Sequence, residues 1–516
     1  MESDTILDAV HAAIDALIAA AEPHDGLFPS MIDRDEGVML REIPPHIPGQ
    51  REHDRAHHGT NLIHDEPVLQ TMYALADAQD RSTFADAADR YLETFATTCV
   101  AGDQRHGPGG TATGLFPWGE HAYWHLLEER VGNSREYGRD DPGPAIHDHL
   151  RLVPQWLWSR LIAANPACIH WFADGLAYHW NDPDAPEYIR HAYITVKDRY
   201  PTGGRACDFP RHGGHYIHDW AVAYADEPHP EYLRRIRAML DYWWEKRDPG
   251  HRGLLRFESR GRTHELAGGQ TLSLGISLLD AADVLTGTDC DTSLLFDLRN
   301  RGETYVQGVL ALPHDYETET FVGTCRERDL HAGSFEPVLG TEYEISAQTT
   351  WVSAYGGGSP AAKAANQCLC AYRYTDDPAL LEHAIAVGKH YLDNPLPADG
   401  RIPFAETNLS MSPSTRGTMT EDDAVPVRAA NVGAVLGLLG DLYDITGEDR
   451  WLSAGLALGG TAVDVFFDAP LPRAAAATAH YESQLGPGFL IHGLARVALL
   501  DRDGRSPALG PNYTDR

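Results

Sequence analysis

The chain reads as an all-α protein: a closed ring of six or seven helical hairpins, an (α/α)6–7 toroid, with room for one small β insertion. Three observations lead there. Apolar residues recur at helical spacing through most of the 516 residues, and strand-like alternation is scarce. The helical stretches come in pairs, joined alternately by tight polar turns and by long loops rich in Gly, Pro and His. A weak repeat marks the tight turns. Ala78-Gln79-Asp80 leads to Phe84 and Ala87, Tyr374-Thr375-Asp376-Asp377 to Leu381 and Ala384, and Ile445-Thr446-Gly447-Glu448-Asp449 to Trp451 and Ala454. Leu285-Thr286-Gly287-Thr288-Asp289 has the same form. A hairpin with one apolar face must bury it against another, and stacked hairpins give a continuous core. The irregular repeats and very unequal loops favour a closed ring over an open solenoid, so residues 1–516 are expected to form one toroid domain.

In chain order, the first helix is expected over about 5–21, where Ile6, Val10, Ile14 and Leu17 form one stripe. A long polar loop follows at 22–61, then helices near 65–79 and 83–98, and a second long loop at 101–117. Further helices are expected near 118–130, 152–163, 166–180, 186–197, 215–225, 229–246, 270–286 and 291–311. Residues 317–355 carry β-type patches such as Thr349-Thr350-Trp351-Val352 and form the candidate insertion. Helices near 360–374, 378–393, 427–445, 448–466 and 487–501 complete the ring. Long loops on one side of such a ring are the expected seat of function.

Charge narrows the classes of function. Asp plus Glu number 75 against 42 Lys plus Arg, for a net charge of −33, and only Lys197, Lys246, Lys363 and Lys389 are lysines. A scattered acidic surface nearly free of lysine fits a salt-adapted, halophilic cytoplasm and argues against nucleic acid as partner. Arginine clusters therefore stand against the trend and are informative. No apolar run is long enough to span a bilayer, and the acidic start Met1-Glu2-Ser3-Asp4 lacks a basic leader, so a cytoplasmic protein without a membrane partner is expected. Cys99, Cys168, Cys207, Cys290, Cys325, Cys368 and Cys370 are odd in number and contain no CxxC, as expected of reduced thiols.

Three segments concentrate chemistry. Gly114 to His125 holds Pro117 and Trp118 where a helix is expected to begin, with Glu120 and His121 in its first turn. Trp118, Tyr123 and Trp124 offer flat faces for stacking on sugar rings, and His121 and His125 share a helix face. The bland alternative is an aromatic helix start packed in the core. Ile146-His147-Asp148-His149-Leu150-Arg151 precedes a helix whose buried stripe is Leu150, Val153, Leu157 and Leu161. There the alternative is an Asp cap with two solvated histidines. Asp208 to Trp220 is the sharpest: Arg211 and His212 precede a Gly213-Gly214 turn, and His215 and Asp219 lie four apart on the next helix. An arginine, three histidines and Tyr216 in eight residues are hard to explain as packing. Weaker candidates are His57, His58, His64, Asp65, Glu66, Gln270, Thr271, Tyr343, Glu344, Arg428, Tyr481 and Glu482.

Together these segments resemble the (α/α)-toroid polysaccharide lyases, and among them the family 2 pectate lyases. The resemblance implies a divalent metal, manganese or calcium, held by two histidines and a carboxylate, beside an arginine that acts at the sugar C5 proton. Arg211-His212 matches the arginine and its adjoining metal histidine, His121 the earlier histidine, and Asp148 the carboxylate, where the family has Glu. Trp118, Glu120, Trp124, His149 and Arg151 would then contact the substrate, an anionic oligosaccharide or polysaccharide of pectate type.

The chemistry is coherent on its own terms. Cutting a uronan by β-elimination removes a C5 proton made acidic only when the C6 carboxylate charge is neutralised. Arginine stays protonated, so Arg211 suits a carboxylate clamp, and Tyr216, His215 or His121 could be the base. A glycoside hydrolase on the same toroid, needing two carboxylates from Glu120, Asp148, Asp219 and Glu344, is the main alternative. A sugar epimerase and a non-enzymatic helical scaffold are the others.

Overall fold

The computed structural model describes the chain except residues 1, 49, 51–54, 80, 101–109, 135–142, 149, 181–187, 202–206, 248–251, 260–261, 327–350, 353–359 and 408–422. Among the described residues there are fourteen α-helices: α1 (Glu2–Ala21), α2 (Leu62–Gln79), α3 (Ser82–Thr94), α4 (Gln155–Ala164), α5 (Cys168–Gly175), α6 (Pro210–Asp226), α7 (Pro230–Lys246), α8 (Gly268–Leu285), α9 (Thr292–Val306), α10 (Pro360–Thr375), α11 (Pro378–Asp393), α12 (Ala429–Thr446), α13 (Asp449–Phe466) and α14 (Pro487–Asp503). None is long and apolar enough to cross a membrane.

The helices close into the expected toroid. The inner ring runs α6 against α8, α8 against α10, α10 against α12, α12 against α14 and α14 against α2. Each inner helix has an outer partner: α3 on α2, α7 on α6, α9 on α8, α11 on α10 and α13 on α12. The outer partner of α14 is α1, so the ring is sealed by its first and last helices. The short α4 and α5 form a seventh pair that spans the gap from α3 to α6. The repeated sequence turn is the inner-to-outer connection, and Phe84 and Trp451 just beyond it are fully buried. Asp291 and Asp377 cap two of these outer helices by accepting from Ser293 N and Ala379 N.

Inner helices are buried on every side, which removes the usual polar stripe. On α6 every residue from His212 to Tyr224 is buried. Close packing there demands glycine. A Cβ on Gly213 would lie 2.2 Å from Trp243 Nε1 of α7, and one on Gly214 would meet Ser277 and Leu274 of α8. Gly213 and Gly214 therefore do not form the turn expected before this helix; they sit within it as contact points. The stripe Ile6, Val10, Ile14 and Leu17 is buried as read, as is Leu150, Val153, Leu157 and Leu161.

Strand structure is distributed around the mouth. Short antiparallel strands lead into the inner helices: β3 (Gly59–Thr60) into α2, β8 (Cys207–Asp208) into α6, β10 (Arg262–Ala267) into α8, β13 (Ala424–Pro426) into α12, and β14 (His480–Glu482) into α14. Two expected helices are strands. Residues 118–130 contain β4 (Ala122–His125), which pairs with β5 (Arg130–Asn133), and 186–197 contain β7 (Ala192–Tyr193), paired with β6 (Ile146–His147). Aromatic residues in the first stretch, and aromatic together with β-branched residues in the second, favour the pleated surface over the helix. Of the expected insertion at 317–355, β11 (Thr324–Arg326) joins β10, and most of the rest lies outside the described residues.

β14 also pairs with β1 (Met31–Asp33) and brings Glu482 to the core. Its carboxylate takes Arg55 Nε at 2.8 Å and Nη2 at 2.7 Å, Gln50 Nε2 at 2.8 Å and His480 Nε2 at 3.1 Å. Burial alone would push this carboxyl up; the His480 hydrogen bond and the Arg55 guanidinium outweigh it and hold it below the ordinary range. Arg55→Ala should therefore cost about 3–5 kcal/mol, since it strands a buried charge. Because the folded pKa is depressed, the pair's contribution is present at neutral pH and lost as pH falls through the carboxylate range. Denaturant titrations of both chains at neutral and acid pH check this; the difference between them should shrink in acid.

Candidate active site

The mouth is the end of the ring where the inner helices begin. α6 starts with Pro210 at its first position, which suits the fixed φ of proline. Arg211 and His212 follow in the first turn, where the helix dipole favours anions. The Arg211 backbone N–H donates to Gln270 Oε1 of α8 at 3.4 Å, and its Nε donates to His212 Nε2 at 3.3 Å. His212 is thereby fixed as a neutral acceptor. Burial first, then the Arg211 charge, pushes its pKa well below the usual histidine range.

The second part of the site is Asp148. Its Oδ2 accepts a short hydrogen bond from His121 Nδ1 and lies 3.2 Å from His191 Nε2. Asp148 is fully buried and His121 nearly so. Burial drives His191 down to about 4 despite the carboxylate. Gly119 sets the approach: its φ is +105°, and a Cβ there would lie 2.3 Å from the Asp148 carbonyl oxygen. Asn61 Nδ2 ties the Gly119 carbonyl to the start of α2 at 2.7 Å.

The two parts share one mouth. The Asp148 charge acts on His212, and the Glu120 charge acts on Arg211. Around Arg211 stand further cations, Arg190 and Arg151, while burial lowers its own pKa. Arg190 lies over the Phe209 ring at 4.5 Å. Arg151 Nε is 3.5 Å from Asp515, and Lys363 Nζ, in the first turn of α10, reaches the same carboxylate at 2.7 Å. Burial would raise the Asp515 carboxyl; Lys363 and Arg151 overcome it and hold it far below the ordinary range.

Several expected roles do not fit this geometry. Trp118 is fully buried among Phe95, Phe116, Trp158 and Phe172, so it is core and not a sugar platform. Trp124 is 4 % exposed and pairs across β4 with Val131. His215 does not use Asp219: its Nδ1 engages the Leu150 carbonyl at 3.0 Å, while Asp219 takes Trp158 Nε1 at 3.0 Å. The Tyr216 hydroxyl faces His179 at 3.3 Å, and burial drives its pKa well above the phenol range. Asp65 is buried inside α2, where it accepts from Tyr91 at 2.8 Å. Glu482 is held in its ion pair, and Asp208 turns away to Lys246 at 2.6 Å. His149, Tyr343 and Glu344 lie outside the described residues.

His121, Asp148 and His212 share the mouth, and among the described residues no three His, Cys, Asp or Glu side chains are arranged to hold a metal ion. The reasons are local. One Asp148 oxygen already serves two imidazoles, and His212 Nε2 is turned to a guanidinium. The described cysteines Cys99, Cys168, Cys290, Cys368 and Cys370 are free and buried, and burial raises each thiol.

Sequence reasoning missed Arg190 and His191, hidden in a stretch read as helix, and Lys363 and Asp515. One signal was available: Lys363 is one of only four lysines in the chain. Asp515 carried none, since the last residues show no periodicity.

No protein-family model matches the chain, and no curated protein matches it. Solved structures do. The chain is similar to an α-1,2-mannosidase from Trichoderma reesei, with 12 % identity and a TM-score of 0.52 over 99 % of this chain and 96 % of that one. An unsaturated glucuronyl hydrolase specific for heparin has 11 % identity and a TM-score of 0.43, covering 98 % and 100 %. A sugar epimerase from a ruminal bacterium has 12 % identity and a TM-score of 0.44, covering 76 % and 87 %. At these identities the mannosidase likeness shows the toroid fold and nothing finer.

Gly119→Ala is the sharpest structural test of the mouth. The side chain would be strained by φ and would meet backbone, which cannot yield as a flexible side chain does. A loss of about 1–3 kcal/mol is expected, read as a lower melting temperature.

Proposed function

We propose that the mouth binds a uronic-acid-containing saccharide of pectate type and cleaves it by β-elimination. The observation that carries this reading is a His121–Asp148 dyad in the same mouth as the Arg211, Arg190 and Arg151 cations. With its Nδ1–H donated to Asp148, His121 presents the Nε2 lone pair as a base, and Asp148 stabilises the imidazolium that forms. Tyr216 and His215 are poorer bases, since each is buried and turned to a protein partner. Arg211 takes the sugar carboxylate. Its fixed charge offsets the enolate-like charge that develops as His121 takes the C5 proton. The C4=C5 double bond then forms as the C4–O4 bond breaks, and the departing O4 takes a proton from the His121 imidazolium or from water. Glu120, half-buried, next to His121 in the chain and acting on Arg211 through its charge, completes the polar rim.

No step is routed through manganese or calcium, since no ligand set occurs among the described residues. The hydrolase alternative, with Glu120 as one carboxylate, fits about as well: among the described residues Asp148 is engaged by two imidazoles and Asp219 by Trp158, and Glu344 lies outside them.

The test is incubation with several uronans and their oligomers, following the ultraviolet absorbance of unsaturated uronate with and without a chelator. Absorbance should rise in both cases. His121→Ala and Arg211→Ala should each lower kcat on the order of 10²–10³-fold. Reducing ends released without absorbance would favour the hydrolase. Solvent deuterium entering the sugar without cleavage would favour the epimerase.

A further inference from the structure

The segment 511–516 lies inside the ring and touches inner helices on every side. Asn512 Nδ2 donates to Glu66 at 2.8 Å and to Gln70 at 2.9 Å, both on α2, and Thr514 Oγ1 donates to Glu66 at 3.0 Å. The Tyr513 hydroxyl donates to Asp441 of α12 and receives Arg373 Nε of α10 at 3.1 Å. Arg516 pairs with Asp280 of α8. Thr514 and Arg516 are buried. Between them, Asp515 turns toward the first turn of α10 and meets Lys363.

Three cations, Lys363, Arg151 and Arg211, face Asp515, with Glu120 also acting on Arg211 and Glu66 on Arg151. Arg151 Nη1 and both ring nitrogens of the adjacent His64 are buried with no hydrogen-bond partner. Buried donors left unpaired mark a place for an acceptor from outside. A cavity beside Lys363 and Asp515 is lined further by Gln367, Phe489, His492 and Tyr513.

We propose that Asp515 is a positioning residue of the active site: held in the ring by the 512–516 segment, it fixes Lys363 and Arg151 as the cationic floor that receives a sugar carboxylate. The carboxylated ligand rests on the function proposed above; the role toward Lys363 does not. Burial lowers the Lys363 pKa, Arg211 and Arg151 lower it further, and Asp515 alone among the groups acting on it raises it. His492 and Tyr513 face the same cavity and bring no fixed charge. Asp515 therefore opposes the burial and the arginine charges that pull the Lys363 pKa down. Removing the carboxylate lowers the pH at which the floor loses a charge.

The four lysines make a direct measurement possible. The full chain labelled with 13Cε-lysine gives one resonance per lysine, and Lys363→Arg identifies the one from Lys363. In Asp515→Asn the Lys363 midpoint should fall by about 1–3 units, the usual effect of losing an adjacent opposite charge, and Asp515→Glu should restore most of it. Asp515→Ser replaces Asp515→Asn should that variant not fold. Calorimetry with free galacturonate, and with neutral galactose as control, supplies the second readout. Between the two midpoints galacturonate should bind Asp515→Asn at least about tenfold more weakly than the unaltered chain, with little difference well below both. An unmoved Lys363 midpoint overturns the proposal. So does a shifted midpoint with galacturonate bound equally by both chains at every pH. A shifted midpoint with no galacturonate bound by the unaltered chain supports the role of Asp515 and overturns the uronate reading.

Discussion

A ring of helices must fill its own axis. Inner helices with side chains on both faces leave a core that neither their backbones nor their apolar residues can close completely. In this chain the polar segment 511–516 enters that space and is held by α2, α8, α10 and α12. Each of its anchors is charged or hydrogen-bonded, and the Arg496–Asp441 pair below it is equally buried. Such pairs cost desolvation and give little net stability; what they supply is a single arrangement, because a shifted segment would leave buried charges unpaired. The rigid floor under the mouth is a product of that requirement.

The mouth itself follows from polarity. Inner helices all begin at the same end, so their dipoles and first-turn side chains converge there. Burial keeps His147, His179, His191, His212 and His215 at lowered pKa, which makes them neutral donors and acceptors. Fixed positive charge therefore comes from arginine and from Lys363. This small cationic region sits in a chain whose net charge is −33, so its sign is a local property and not the sum of the surface.

How much was legible in the sequence follows the same physics. Helical periodicity and the repeated Ala-polar turn revealed the hairpins, because amphipathic outer helices carry their burial pattern in linear order. Arg211-His212 and His121 were visible because they break composition locally. The strands at 122–125 and 192–193 were misread, since short aromatic runs fit either period. Trp118 was taken for a sugar platform because exposure has no sequence signature, and only packing against Phe116 and Trp158 decides it. Asp515 was invisible because its meaning comes from residues 151, 211 and 363, joined to it only by the closed ring.

Closure between α1 and α14 also governs how the chain reaches this state. Arg34 of the first hundred residues donates to the Leu471 carbonyl at 2.7 Å, a contact spanning 437 positions, and the apolar stripe of α1 lies against a helix that begins at Pro487. Local hairpins can form as each is synthesised, but the α1 face of the seam has no partner until α14 has been made. During that interval the first helix presents Ile6, Val10, Ile14 and Leu17 to the cell. A contact of that sequence separation carries one of the largest loop-closure costs in the ring, which places it late in the order in which the contacts can form.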